Sequence, residues 1–238
     1  VTLALSLAAC FTAPAVLAQP VGGVAVHGAA SISTQGNKTL ITTQNGVGTG
    51  HSAINWQSFN VPAGSVTHFA QPGAASTSIN RVMGANPSAI FGTLSSNGKL
   101  VLVNPAGIAV GAGAVVDTAG FTASTLRMAD ADALAGRLVF GGDTLTGSSL
   151  GVHGRVLARQ GDIVLIGTDV QVGAQAVVAS PNGATVLAAG QKVELTGRGL
   201  EGIRLHLQAP TDQAVNLGQL KGDAVGVFAG TLRHSGLI

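Results

Sequence analysis

Short apolar runs of Val, Leu, Ile, Ala and Thr recur along the chain, each stopped by Gly, Asn-Gly, Asp or Pro. Runs of this kind predict short strands joined by tight turns. The pattern also repeats. Gly98-Lys99-Leu100-Val101-Leu102-Val103 returns as Gly161-Asp162-Ile163-Val164-Leu165-Ile166, and after a slip of one residue the stretch Ile108 to Val116 matches Val170 to Val178. A shorter echo, Gly183-Ala184-Thr185-Val186-Leu187, follows Gly161 by 22 positions. That spacing lies within the roughly 20 to 45 residues of a solenoid repeat. The 63-residue offset of the longer copies then corresponds to about three turns.

Each turn of a solenoid buries its inward face only by stacking on its neighbours. Small Val, Ala and Ile side chains suit the narrow interior that results, and Gly and Asn are expected to supply positive φ angles at sharp corners such as Asn97-Gly98 and Asn182-Gly183. A doubly wound α/β fold is excluded because helices of ten or more residues do not separate the strands. One short helix is expected over Ala129 to Ala135, with Asp130 or Asp132 near its start and Gly136 ending it. The fold class is therefore all-β, a parallel β-helix with one short helical excursion.

The first residues break this rhythm. Leu3 to Ala9 form an apolar core, and Val16-Leu17-Ala18 before Gln19 has the small residues of a processing site. Residues 1–18 read as a secretory signal peptide, incomplete at its start because a charged n-region and initiator Met are missing, with cleavage between Ala18 and Gln19. A rival reading takes Leu7-Ala8-Ala9-Cys10 as a lipoprotein box that leaves Cys10 acylated. Against it, the apolar stretch continues past Cys10 through Val16-Leu17. Cys10 is the only cysteine; once it leaves with the leader, neither disulfides nor thiolate-bound metal can hold residues 19–238 together.

Composition supports the fold and narrows function. With 35 Gly, 46% hydrophobic and 9% charged residues, the chain is too apolar for disorder and too glycine-rich for helices. Its net charge of +2 is not clustered, which argues against a nucleic-acid partner. Gly147-Ser148-Ser149-Leu150-Gly151, with His153 nearby, matches a G-x-S-x-G nucleophile pattern. That pattern requires a helix after the turn, whereas a strand-like run from Val152 to Ala158 follows, so a polar turn is expected. His27, His51, His68, His153, His206 and His234 show no ligand spacing, so no metal site is implied and solvated or corner positions are expected. Asp143, Asp162, Asp169 and Glu194 are the acid–base pairs on offer for a polysaccharide-cleaving β-helix. Nothing in the sequence gathers them, and sugar platforms are scarce, with no Tyr and one Trp. Asn37-Lys38-Thr39 reads as a chance glycosylation match. No cofactor is implied, and the chain reads as a non-enzyme; the alternative is a β-helical glycan-active enzyme or carbohydrate-binding module.

Several blocks carry a family likeness: Ile54-Asn55-Trp56-Gln57-Ser58-Phe59-Asn60, Ile79-Asn80-Arg81-Val82, Ile90-Phe91-Gly92-Thr93-Leu94, Leu102-Val103-Asn104-Pro105-Ala106-Gly107-Ile108 and Phe121-Thr122-Ala123-Ser124-Thr125-Leu126. Their order and spacing resemble the N-terminal secretion domain of the filamentous haemagglutinin family, from about Gln19 to the low 200s. The resemblance implies a right-handed β-helix at the head of a two-partner secretion exoprotein. It also implies a TpsB/Omp85-type outer-membrane β-barrel transporter as partner and a final location in the medium or at the cell surface, while the signal peptide implies export through the Sec machinery. The passenger of such a protein is an adhesin, haemolysin or growth-inhibition toxin, with any host-cell or glycan receptor met through that passenger. The same resemblance ties Asn104, Pro105, Gly107 and Ile108, together with Asn80 and Arg81, to secretion and transporter recognition. Asn104-Pro105 and Gly107 also fit a corner turn on their own chemistry. Two departures stand out. Ala106 occupies a place where many relatives carry a second Asn, and the family's Asn-Pro-Asn-Leu block has no counterpart, since Asn86-Pro87-Ser88 does not equate with it.

Overall fold

The computed structural model describes residues 19–141, 148–206 and 212–238; the predicted leader and Ala18 lie outside them. The chain opens with β1 (Val24–His27), β2 (Ala29–Gln35) and β3 (Lys38–Gln44). β2 and β3 form an antiparallel hairpin, from Ala29 opposite Gln44 to Gln35 opposite Lys38. Gly36 at its tip has φ of 56°, which glycine adopts without strain. β1 lies antiparallel on β4 (His51–Trp56). From β3 and β4 onward the coil's own ladder is parallel.

The coil visits three faces in order. The first turn is β3, β4 and a bridge at Val61; the second is β5 (Val66–Ala70), β6 (Thr77–Val82) and β7 (Ser88–Ile90). The third is β8 (Thr93–Ser96), β9 (Lys99–Val103) and β10 (Ile108–Val110). In the fourth, β11 (Val115–Thr118) and β12 (Gly120–Ser124) are followed by an excursion, α1 (Asp130–Ala135) and β13 (Leu138–Gly141), before β14 (Leu150–Val152). The fifth is β15 (Arg155–Ala158), β16 (Ile163–Gly167) and β17 (Asp169–Val172). The sixth runs along β18 (Val177–Ala189), which bends across two faces, leaves through β19 (Lys192–Leu195) and β20 (Ile203–His206), and returns as β21 (Gln213–Asn216). β22 (Gln219–Phe228) and β23 (Thr231–His234) make the seventh.

In the ladder, Leu100 pairs with Phe121, Phe121 with Ile163, Ile163 with Thr185 and Thr185 with Val225. The 63-residue repeat therefore spans two turns, not three, because its second step contains α1 and β13. The 22-residue echo is a single turn. The corner expectation also needs correction. Gly98 and Gly183 are absent from the positive-φ glycines, and Asn182-Gly183 lies within β18. These glycines answer close approach instead: a Cβ on Gly98 would stand 2.6 Å from Gln71 Cδ, and one on Gly183 would stand 2.6 Å from the Gly161 carbonyl.

Two apolar layers result. Inside the coil, Ile41, Ile54, Leu94, Leu102, Ile108, Val116, Leu165 and Val178 stack turn on turn, and each such side chain contributes about 1.5–3 kcal/mol on burial. Near the N-terminal end the interior holds aromatics, with Trp56 edge-on to Phe59 and Phe59 stacked near Phe69. Outside the second face, Val101, Val103, Val164 and Ile166 are covered by α1 and an antiparallel sheet of β13, β19 and β20, through Ala133, Phe140 and Val193. α1 ends as expected at Gly136, whose φ is 68° and whose N–H bonds back to the Ala133 carbonyl.

Candidate functional site

Asn104 to Ile108 turn the chain from β9 on the second face to β10 on the third. The Asn104 side chain is wholly buried. Its Nδ2 donates to the Asn86 carbonyl at 3.0 Å and to Ser88 Oγ at 2.9 Å, while Oδ1 accepts from the Ala106 N–H at 2.9 Å. The Gly107 N–H closes the turn on the Asn104 carbonyl at 3.0 Å. Gly107 has φ of 126°, a value a side chain resists. Ile108 points into the core. The motif is thus a corner whose Asn supplies the hydrogen bonds and whose Gly supplies the backbone angle. Asn86-Pro87-Ser88 forms the seat directly beneath it, one turn earlier.

Pro105 and Ala106, half-buried, reach the surface. They line a hollow of ≈ 340 Å³ together with Met83, Arg127, Met128 and Asp130. Met83 is 62% exposed. Arg81 forms the floor. Its Nε and Nη2 donate to Asn55 Oδ1 at 3.1 and 2.9 Å, and Nη1 donates to the Met128 carbonyl at 3.0 Å and meets Asp130 at 2.7 Å. The Arg81 side chain is 6% exposed and that of Asp130 80%, so Arg81 ties turns one and two to the helical excursion. Asn80 is buried, accepting from Trp56 Nε1 at 2.9 Å and donating to the Ser78 carbonyl and hydroxyl. The structure brings Arg81, Pro105 and Ala106 to one hollow; Asn80, Asn104 and Ile108 shape the fold behind it. Gln19 stands apart on the cap hairpin, its Nε2 donating to the Gly36 carbonyl at 3.1 Å and its Oε1 accepting from Thr39.

The other candidates disperse. Gly147 and Asp143 lie outside the described residues; β14 and β15, not a helix, follow Ser148 and Ser149. Asp162 accepts the N–H groups of Ala184 and Gly199, each at 2.8 Å, and Asp169 accepts from Gln171. Among the described residues no group of three His, Cys, Asp or Glu is placed to hold a metal. Sequence spacing missed one association: the His27 and His51 rings are stacked, with centroids 4.2 Å apart. Strand pairing between distant stretches of chain, invisible to a spacing rule, makes that contact. The hollow was equally hidden, since Met83 and Arg127 carry no motif.

Comparison with known proteins gives this geometry a family. A heme/hemopexin-binding protein of Haemophilus influenzae (strain ATCC 51907 / DSM 11121 / KW20 / Rd) is 41% identical over 106 residues, covering 44% of this chain and 11% of its own length. A second heme/hemopexin-binding protein of Haemophilus influenzae is 38% identical over 78 residues, covering 33% of this chain and 8% of its own length. The chain therefore spans about a tenth of the curated relatives it matches. The crystal structure of the HMW1 secretion domain from Haemophilus influenzae superposes with a TM-score of 0.74 at 29% identity, over 87% of this chain and 57% of that one. The filamentous hemagglutinin secretion domain gives a TM-score of 0.44 at 16% identity, over 92% and 98% of the two chains. The family known as TPS secretion domain, a secretion family and not an enzyme family, matches residues 18–232. The chain belongs to the TPS secretion domain family, whose members are secreted exoproteins of two-partner systems.

Proposed function

We propose that this chain addresses a longer exoprotein to an Omp85-type β-barrel transporter in the outer membrane and then nucleates folding of the β-helical passenger at the cell surface. On this reading residues 1–18 direct Sec export and are cleaved before Gln19, and the domain itself performs no catalysis. The observation that carries the proposal is the polarity of the coil. Its first end is closed by the antiparallel β1 and the β2–β3 hairpin, and from there to β22 and β23 each turn stacks in parallel on the one before it. Such a ladder can grow in one direction, turn by turn. Each added turn buries apolar surface at about 25 cal/mol per Å², which opposes backward sliding without ATP. What the relatives are named for binding belongs to proteins far longer than this chain; only the export role is carried over.

The residues proposed to meet the transporter are Pro105, Ala106 and Arg81 around the hollow, with Met83 on its rim, while Asn104, Gly107, Ile108 and Asn80 hold that surface in shape. The test fuses the chain ahead of a reporter in a bacterium with or without the cognate transporter. Transporter-dependent release of the reporter into the medium is expected; retention in the periplasm with the transporter present contradicts the proposal. A Met83→Glu variant separates surface from fold, since it is expected to reduce release while leaving the melting temperature of the purified chain unchanged.

A further inference from the structure

The stacked imidazoles sit where three separate stretches of chain meet. His27 ends β1, the strand that closes the first end of the coil; His51 begins β4; the end of α1 packs above them. Both rings are held by their Nε2 atoms. His51 Nε2 lies 3.1 Å from the Leu134 carbonyl, which can only accept, so this nitrogen carries the proton. His27 Nε2 lies 3.0 Å from Thr49 Oγ1, and that hydroxyl gives its own proton to the Gly46 carbonyl at 2.9 Å. That arrangement suits the Nε2–H tautomer for His27 as well. The rings are 14° from parallel, and the fit around them is close. A Cβ on Gly46 would stand 2.1 Å from His27 Nε2, and one on Gly136 would stand 2.7 Å from His51 Nδ1.

We infer that the His27–His51 stack is an acid-sensitive latch that fastens the N-terminal strand and the helical excursion to the coil, and that double protonation releases both. Neutral imidazoles stack face to face; two imidazolium rings at this separation repel, and no carboxylate among the described residues is bonded to either. The charged groups on the elements packed here are few. β1, the loop 45–50 and β4 have none besides the two histidines. β6, beside β4, contributes Arg81, and α1 contributes Asp130 and Asp132, which pair with Arg81 and Arg137 at 2.7 Å each. Burial, and then the charge of His51, hold His27 below the ordinary imidazole value. A base that binds its proton less readily folded than unfolded gives full stability above the unfolded value of about 6.5, and loses it as pH falls from there through the lower folded value. In the sheet the strand β1 is hydrogen-bonded to β4 alone, from Val24 opposite Asn55 to His27 opposite Ala53, where the register already shifts. It is the element expected to detach first.

The test is amide hydrogen exchange of the purified chain between pH 7.5 and about 5, corrected for intrinsic rates, on the wild type and His27→Gln, whose amide still donates to Thr49. In the wild type, protection of residues 24–27 and 130–136 should fall severalfold on acidification, while β9, β12 and β16 stay protected. His27→Gln should abolish that change. Equal pH dependence in the two proteins, or unchanged protection in the wild type, overturns the inference. Should His27→Gln not fold, NMR titration of the wild type decides. Two ring titrations coinciding with release of β1 support the latch, and titration of both rings without release refutes it.

Discussion

The second face of the coil and the first share one winding and differ in what lies outside them. On the second, β12 and β16 are buried at every position, and β9 at every position after Lys99. Their outward residues lie under β13, β19 and α1. On the first face, β8 and β11 alternate buried with half-buried positions, and β3 alternates buried with exposed ones. A strand covered on both sides reads as a continuous apolar run, and one covered on a single side reads as alternation. Leu100-Val101-Leu102-Val103 and Val115-Val116-Asp117-Thr118 are those two signatures within a single chain. The difference teaches that apolar content along this coil reports the accessory layer as well as the interior.

Placing a charge on each face gives the largest contrast. Val101→Asp buries an unpaired carboxylate beneath the accessory sheet and should cost about 3–5 kcal/mol or prevent folding. Val115→Asp, outward on the first face opposite Arg155, should cost about 1 kcal/mol or less; denaturant unfolding compares them. The corner that leaves the covered face comes next. Asn104→Ala strands buried donors and acceptors and should lose about 1–3 kcal/mol in the same measurement. Arg81→Lys removes the fork that joins Asn55 to the excursion. It should cost about 1.5–3 kcal/mol, with hydrogen exchange accelerated chiefly in α1. The smallest effect belongs to the bare face: Arg159, paired with Asp117 in solvent, should leave the unfolding midpoint unchanged when replaced by Ala.

Much of this was legible in the sequence, and the failures have physical causes. Repetition gave the stacked coil because every turn must present similar small apolar residues to its neighbours. It miscounted turns because α1 and β13 occupy chain length without adding to the ladder. Asn104 and Gly107 were legible as a turn, since the chemistry of a corner is local. Asn80 and Arg81 were legible as residues worth attention, but not as a Trp56 partner and a floor for the hollow, since those partners come from other turns. Long-range pairing likewise created the His27–His51 stack, which no spacing rule along the chain contains.

Locking two turns together before export tests most directly whether turns assemble only after crossing the outer membrane. Thr93 and Val115 pair in register on the open first face. Neighbouring strands lie about 4.8 Å apart, within the Cα range of a disulfide, and residues 19–238 contain no other cysteine. With the transporter present, the double variant Thr93→Cys/Val115→Cys should accumulate in the periplasm under oxidising conditions and reach the medium when reductant is added. Appearance of that variant in the medium with its engineered disulfide formed before crossing would contradict folding at the surface.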